Sequence, residues 1–358
     1  MASTPIGLRR LAQQRLTRNQ VATPEKVVGW LGAVQSQEYP GAIWSLGMRM
    51  RNATEAAVER AFAEGVILRT HVLRPTWHFV IPTDIRWMLE LTAPRVKAAI
   101  AYYDRQLGLD DALYARCNDV IARALEGGKF LTRAELRAAL ADAGIVAEGQ
   151  RLGHIVAHVE VDGVICSGPR RGKQFTYALL AERAPNARML PRDEALAELT
   201  RRYFTGHGPA TERDFSWWSG LTLAEVRAGL EMVGAELARE EIDGQTYWFP
   251  ASSASQAPVA ETADAFLLPT YDEFLVGYNG FGASLTDGRP RSRPTEFNAT
   301  IVIGGRVIGN WRRTITKRAA VIELAPFAPL SETEREAVFN AAERYGAFFG
   351  VSVECVEV

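Results

Sequence analysis

Two glutamines, Gln35 and Gln37, stand two residues apart in the segment PEKVVGWLGAVQSQEYPG. Amide oxygens can hold a water molecule and weakly stabilise a developing positive charge. On a continuing helix, residues two apart project about 200° from each other and could not serve one site. The sequence predicts that the helix ends here, because Tyr39 precedes Pro40 and Gly41 follows, and this end would let both amides converge. Capping of the helix end by the same amides is the structural alternative.

Other groups with catalytic potential have weaker patterns. No obvious lysine accompanies the glutamine pair, so Schiff-base chemistry is not expected. His71 and His78 lie in consecutive predicted strands and either face one cleft or are structural. His154 and His158 have i, i+4 spacing, but the residues IVA between them lack the glutamate of a zinc-hydrolase helix. We therefore predict no metal and no cofactor.

The composition is that of an ordinary globular protein, with 358 residues, 47% hydrophobic and 23% charged. No run approaches the ~18 consecutive apolar residues of a membrane-spanning helix. The first residues lack the apolar segment and cleavage site of a secretory signal. Three widely separated cysteines argue against disulfides and a structural zinc site. We expect a cytoplasmic protein without membrane contact.

Basic residues are segregated although the net charge is only −1. Residues 1–51 contain seven basic and two acidic residues, and residues 286–318 contain eight and two. Such patches fit a surface that faces phosphate groups, and a solvated face is the alternative.

A recurring order of helices followed by two strands indicates an internal repeat. The middle copy has helical patterns over 113–125, 132–143 and 150–161, with a capping box at Thr132 and Glu135. The strand-like segments VICSG and QFTYALL then flank the basic turn PRRGK. Three helices and a basic-tipped hairpin are typical of a winged helix, whose third helix normally enters a DNA groove.

The outer copies follow the same order less regularly. The first has helical patterns over 7–16, 24–35 and 53–64, and the third over 191–204, 211–218 and 222–233. A hairpin follows each, in the third copy around Asp243-Gly244. The alternative is that this order of helices and hairpin recurs by chance. After an Ala/Ser/Pro-rich linker come several strands, with Gly304-Gly305 as a hairpin turn, a helix over 332–349 and a closing strand.

The sequence thus predicts an α+β protein with three tandem winged-helix domains and a small C-terminal β-rich domain containing one helix. The predicted domain boundaries are residues 1–108, 109–185, 186–250 and 251–358.

Five segments together resemble the winged-helix DNA-binding family that includes bacterial DNA glycosylases for bulky and crosslinking alkylation damage. They are LGAVQSQEYPGAIWSLGMR, LRTHVLRPTWHFV, GPATERDFSWWSGL, LLPTYDEFLVGY and VIGNWRR. The resemblance covers essentially the whole chain and implies a C-shaped DNA channel. It also implies a catalytic motif of Gln, an aliphatic residue, then Gln or Asp. Gln35 and Gln37 match its two ends, whereas Ser36 departs from its middle position.

This resemblance implies a monofunctional glycosylase for cationic N7-alkylated purines, with bulky or crosslinked adducts as further substrates. A cationic base leaves readily, so two amides need only place water and stabilise the sugar cation. Gln37 would position the water and Gln35 would assist electrostatically. A non-enzymatic winged-helix protein, either a transcriptional regulator or a damage-recognition factor, is the alternative.

The expected partner is damaged double-stranded DNA of the nucleoid, bound by a monomer. Trp77 and Trp217-Trp218 either stack on bases or fill the core. The basic segments, the first hairpin and the wing tip supply the predicted DNA contacts, with Arg289, Arg291 and Arg293 as additional C-terminal candidates. The predicted contacts are Arg49, Arg51, Arg69, His71, Arg74, Arg170, Arg171, Lys173, Arg312 and Arg313.

Overall fold

The structure is a computed structural model that describes residues 6–17, 20–253, 264–279, 298–315 and 319–358. The fold is mixed α+β, as predicted. Within the described ranges, no helix has both the length and the apolar character needed to cross a membrane. The candidate DNA contacts Arg289, Arg291 and Arg293 lie outside the described residues.

The first repeat follows helix α1 (Ile6–Gln13) and has the order helix, strand, helix, helix, hairpin. Its three strands form one antiparallel sheet in the order β1, β3, β2, so β1 lies at an edge. Its elements are α2 (Pro24–Leu31), β1 (Val34–Gln35), α3 (Tyr39–Met48), α4 (Glu55–Glu64), β2 (Leu68–His71) and β3 (Trp77–Val80).

The helix that precedes the glutamine pair is shorter than predicted. The predicted helix over 24–35 ends at Leu31, where Gly32 has a φ of +82° that favours glycine. Gln35 consequently lies in a strand. The predicted first helix over 7–16 corresponds to α1, which precedes the repeat.

The segment predicted to terminate a helix begins one instead. Pro40 lies in the first turn of α3, where its missing N–H removes no intrahelical hydrogen bond. Glu38 caps the helix by accepting a hydrogen bond of 2.7 Å from the backbone N–H of Gly41. The proline therefore fixes the start of α3 directly after the glutamine pair.

The second repeat follows the long helix α5 (Ile85–Gln106) and has the same order of elements as the first. The capping box of Thr132 and Glu135 is confirmed. The elements are α6 (Asp111–Leu125), β4 (Leu131–Thr132), α7 (Arg133–Asp142), α8 (Gly149–Val161), β5 (Ile165–Ser167) and β6 (Thr176–Leu179), followed by α9 (Leu180–Arg183).

In the third repeat an isolated bridge between Ala210 and Trp248 stands where the first strand would be. The hairpin around Asp243-Gly244 is confirmed, and both residues have positive φ, at 50° and 74°. The elements are α10 (Arg192–His207), α11 (Glu212–Ser219), α12 (Leu223–Val233), β7 (Leu237–Ile242) and β8 (Gln245–Pro250).

The C-terminal segment forms a five-stranded sheet in the order β13, β12, β11, β10, β9, with β13 parallel to β12. The predicted helix over 332–349 and the closing strand are confirmed. The elements are β9 (Ala265–Leu268), α13 (Glu273–Val276), β10 (Thr300–Ile303), β11 (Arg306–Ile315), β12 (Ala319–Pro326), α14 (Glu332–Phe349) and β13 (Ser352–Glu357).

Two hydrophobic cores join segments that are distant in sequence. The first unites the helices of the first repeat with the C-terminal sheet and α14, where Trp44 packs on Tyr345 with ring centroids 5.2 Å apart. The second joins Leu68 and Val80 to α5 and to Trp218 of the third repeat, and the second repeat has its own core. The sheet that carries Gln35 therefore lies between the first core and the second.

Candidate active site

Strand β1 places the glutamine pair at the edge of the first sheet. Gln35 pairs with His78 of β3, and the Ser36 N–H donates to the Trp77 carbonyl at 2.8 Å. The Trp77 N–H in turn donates to Gln37 Oε1 at 3.3 Å. Gln35 is the last residue of β1 and Gln37 lies in the bend that follows, so ending the helix at Leu31 removes the separation of about 200° that a continuing helix would impose.

The three residues of the motif differ in their exposure. Gln35 is 7% exposed, and its Oε1 has no hydrogen-bond partner among the described residues. Ser36 is fully buried, so this residue occupies the interior position that an aliphatic side chain would fill in the motif. Gln37 is exposed. The motif therefore spans the boundary between the protein interior and the solvent.

Arg69 of β2 binds the backbone of the motif. Its Nε and Nη2 each donate to the Ser36 carbonyl oxygen at 3.2 Å. The guanidinium also lies over the rings of Trp77 and Phe175, 4.3 and 4.5 Å from their centroids. Burial lowers the pKa of Arg69 to about 10, so the side chain stays charged at neutral pH.

Glu273 of α13 binds the same backbone from the C-terminal segment. Its Oε1 accepts a hydrogen bond of 2.7 Å from the Gln35 N–H. Its Oε2 accepts from Trp218 Nε1 at 2.9 Å and from His207 Nε2 at 3.2 Å. Burial would raise the pKa of Glu273, but the hydrogen bonds from His207 and the Gln35 backbone keep it below its ordinary value. This residue was not among the candidates predicted from the sequence.

The two histidines of the first hairpin do not share a cleft. His71 pairs with Trp77 and His78 pairs with Thr70, so strand alternation places their side chains on opposite faces. His71 Nδ1 contacts Glu160. His78 is fully buried, and its Nδ1 donates to the Thr76 carbonyl oxygen at 3.0 Å. Of the two alternatives drawn from the sequence, the contacts therefore fit structural histidines and not a common cleft.

Three of the predicted DNA contacts are buried within the protein, and for these the prediction is wrong. Arg49 has no exposed surface and forms an ion pair of 2.8 Å with Asp272. Arg69 binds the Ser36 carbonyl, and His71 contacts Glu160. Each side chain is buried and has a polar partner inside the fold, so none of the three lies on the surface that DNA phosphates could reach.

The other predicted contacts are accessible to different degrees. Arg74 lies over the Trp217 ring at 5.2 Å, and its buried Nε and Nη2 have no hydrogen-bond partner among the described residues. Arg170 and Arg313 are half-buried and form ion pairs of 2.7 Å with Glu59 and 3.2 Å with Glu38. The exposed members are Arg51, Arg171, Lys173 and Arg312, of which Arg171 forms an ion pair of 2.9 Å with Glu135.

A cleft of about 590 Å³ lies beside the motif. Its wall includes Glu38, the residue after Gln37, together with Arg312 and Arg313 of β11. Trp311 forms a further part of the lining. The cavity thus carries both positive and negative side chains and reaches the residue that follows Gln37 in sequence.

The remaining candidate residues have structural contacts. His154 Nδ1 lies 2.7 Å from Asp104, and the ring of His158 stacks on Tyr114. Trp218 is buried in the second core. In the ranges that the structure describes, no three His, Cys, Asp or Glu side chains are grouped so that they could hold a metal ion.

Comparison with known proteins identifies the family. A sequence model of the family described as "DNA glycosylase AlkZ-like" matches residues 28–348. The chain belongs to the AlkZ-like DNA glycosylase family. It is thus a DNA glycosylase, a hydrolase of N-glycosyl bonds with DNA as its substrate, and the resemblance found in the sequence is confirmed. This membership does not favour a non-enzymatic DNA-binding protein.

Similarity to AlkZ-like proteins extends over nearly the full chain. The interstrand DNA cross-link repair glycosylase of Streptomyces sahachiroi is 27% identical over 361 residues, which cover 96% of this chain and 95% of that protein. The solved structure of Streptomyces sahachiroi DNA glycosylase AlkZ has a TM-score of 0.80 at 24% identity and covers 98% of both chains. The latter similarity shows a shared fold.

Proposed function

We propose that this AlkZ-like glycosylase hydrolyses the N-glycosidic bond of cationic N7-alkylated purines, with Gln35 and Gln37 as its catalytic residues. The supporting observation is the position of the two amides. One is buried and the other is exposed, on a backbone segment that is hydrogen-bonded from several sides. Gln37 places the hydrolytic water, and Gln35 stabilises the positive charge that develops on the sugar.

The chemical composition of the motif sets the substrate class. Amides are neutral at all relevant pH values and cannot protonate a leaving base, so a base that already carries positive charge suits them. The contacts described for the motif come from Trp77, Arg69 and Glu273, and none of these is a lysine. The enzyme is therefore monofunctional and does not cleave the DNA strand.

Crosslinked or otherwise bulky adducts form a second substrate class of this proposal. The Streptomyces sahachiroi relative is named as an interstrand cross-link repair glycosylase. The cleft of about 590 Å³, which Glu38 lines one residue after Gln37, offers room for the part of an adduct that extends beyond the purine.

The three repeats are winged helices in this proposal, followed by the β-rich C-terminal domain, with the boundaries predicted from the sequence. Their shared order of helix, strand, helix, helix and hairpin supports this interpretation. The protein acts as a monomer on damaged duplex DNA in the nucleoid. Phosphate contacts come from exposed side chains, namely Arg51, Arg171, Lys173 and Arg312, with Arg74, Arg170 and Arg313 beside them.

Base release from duplex DNA containing N7-methylguanine tests the proposal. Wild-type protein should release the base, and Gln37→Ala should lower the single-turnover rate by about 100-fold or more, since the amide that places the water is lost. Gln20→Ala, which removes an amide bonded to the Met48 carbonyl at 2.9 Å, is the matched control and should retain the rate. Full activity of Gln37→Ala would contradict the assignment of the motif.

A further inference from the structure

Two buried charged side chains hold the peptide groups of the motif. Strand β1 lies at the edge of its sheet, where alternate N–H groups face away from the neighbouring strand. The Gln35 N–H does so, and it donates to Glu273 at 2.7 Å. One residue later, the Ser36 carbonyl accepts two hydrogen bonds of 3.2 Å from Arg69. A carboxylate thus binds the N–H side and a guanidinium binds the C=O side.

We propose that Glu273 and Arg69 are positioning residues that fix the segment from Gln35 to Gln37 through its backbone, an inference that rests on the proposed function of the two glutamines. Neither side chain has to contact DNA. Each acts on the reaction by setting where the two amides stand.

Burial gives these hydrogen bonds their strength. Hydrogen bonds to ionised groups are roughly twice as strong as neutral ones, and water does not compete for them in the interior. Glu273 has no exposed surface, and Arg69 is almost fully buried. An edge strand of only two residues would otherwise be free to fray.

The orientation of Glu273 is itself fixed by the third repeat. While Oε1 accepts from Gln35, Oε2 accepts from Trp218 Nε1 at 2.9 Å and from His207 Nε2 at 3.2 Å. The position of the motif is therefore set jointly by the first repeat, the third repeat and the C-terminal segment. Accurate placement matters here because two amides supply no proton transfer, and a displacement of about 1 Å can cost about 100-fold in rate.

The chain offers a matched control in the neighbouring residue. Asp272 is also a fully buried carboxylate, but it binds Arg49 and accepts from Ser45 Oγ at 2.6 Å. Its Oδ1 also accepts from the Phe274 N–H at 2.9 Å and so caps α13, a role that asparagine can keep. None of these contacts of Asp272 involves the motif. Glu273→Gln and Asp272→Asn therefore remove the same charge from adjacent positions, one with and one without a bond to the motif.

Hydrogen exchange and single-turnover kinetics of the full chain test the inference. In Glu273→Gln, exchange of the Gln35 N–H should accelerate by about tenfold or more. Base release from N7-methylguanine DNA should slow by about 10- to 100-fold, with the Kd for the same DNA within about twofold of wild type. Asp272→Asn leaves Arg49 without its ion pair and should lower the Tm. Under conditions where this variant stays folded, its rate of base release should match wild type, and exchange at Gln35 should not accelerate more than that of other core amides.

A second variant, Arg69→Lys, tests the inference independently if Glu273→Gln does not fold. Arg69→Lys retains the charge but lacks the paired donors that reach the Ser36 carbonyl, so it should also slow base release without weakening DNA binding. The inference is overturned if Gln35 exchanges as slowly in Glu273→Gln as in wild type, or if Asp272→Asn slows base release equally. Failure of the proposed function has a different signature: wild type releases no base, while exchange at Gln35 still distinguishes Glu273→Gln from Asp272→Asn and so supports the positioning role.

Discussion

Arg49, a predicted DNA contact, is buried in the protein core. Its guanidinium binds both carboxylate oxygens of Asp272, at 2.8 and 2.9 Å, and so links α3 to the C-terminal segment. Such a pair is costly to break, because removing one partner leaves an uncompensated buried charge at a cost of about 3–5 kcal/mol. The role of Arg49 is to hold two parts of the fold together.

His78 should make the protein less stable at mildly acidic pH. Burial, together with nearby Arg74, lowers the pKa of His78 to about 3, whereas a histidine in the unfolded chain titrates near 6.5. Between these values the unfolded chain binds a proton that the folded protein does not. The free energy of unfolding therefore falls as the pH decreases below about 6.5, and this group should contribute a loss of about 2 kcal/mol at pH 5.

Urea unfolding of wild type and His78→Gln at pH 7 and pH 5 measures this contribution. The variant has a lower stability at pH 7 but should lose about 2 kcal/mol less than wild type when the pH is lowered. An identical pH dependence in the two proteins would show that His78 is not the group responsible.

At the scale of elements, helix α1 contacts the C-terminal sheet backbone to backbone. A Cβ added at Gly7 would lie 2.1 Å from the carbonyl oxygen of Gly305. Gly305 belongs to the Gly304-Gly305 turn between β10 and β11, which the sequence predicted and the strand pairing confirms. The absence of a side chain at Gly7 thus allows α1 to pack closely on this turn.

Gly7→Ala should destabilise the protein although alanine is the better helix former. Helix propensity alone would favour alanine by up to about 1 kcal/mol, but the added methyl group must displace backbone and costs about 1–3 kcal/mol. Gly153→Ala in α8 is the control, because its Cβ would meet only the mobile end of the Arg133 side chain, at 2.8 Å. Thermal unfolding should show a lower Tm for Gly7→Ala and an unchanged or higher Tm for Gly153→Ala. The reverse order would contradict the close packing of α1.

At the scale of the whole molecule, helix α8 of the second repeat is packed against other elements of the protein. In a winged helix the equivalent third helix normally enters a DNA groove. Here His154 contacts Asp104 of α5 and Glu160 contacts His71, and within α8 the exposed residues are confined to its first turn. DNA contact by the second repeat is therefore expected from its wing, where Arg171 and Lys173 are exposed.

The salt dependence of DNA binding should locate the phosphate contacts. Lys173→Ala and Arg312→Ala should each reduce the slope of log K against log salt concentration by about 0.9, since each removes one phosphate contact. Arg335→Ala is the control, because Arg335 is already neutralised by Glu332 at 3.2 Å and Glu357 at 2.8 Å. Titration of a fluorescent duplex at several salt concentrations measures these slopes. Unchanged slopes for Lys173→Ala and Arg312→Ala would place the DNA elsewhere.

The amino-acid sequence by itself determined the features that depend on local signals. The capping box at Thr132, the hairpin at Asp243-Gly244 and the C-terminal helix all arise from interactions within a few residues. The repeated order of elements was also evident, together with the resemblance to the glycosylase family, but the sequence placed Gln35 at the end of a helix and not in a strand. The start of α3 was misjudged because Pro40 can either end a helix or begin one.

Only the tertiary structure decided which charged residues are buried and what they bind. Arg49 and Asp272 are 223 residues apart, and Gln35 and Glu273 are 238 apart. The carboxylates within the apolar segment LLPTYDEFLVGY were a signal that something buried must pair with them. The sequence does not name the partner, because a buried charge is satisfied by whichever group the folded chain brings within hydrogen-bond distance.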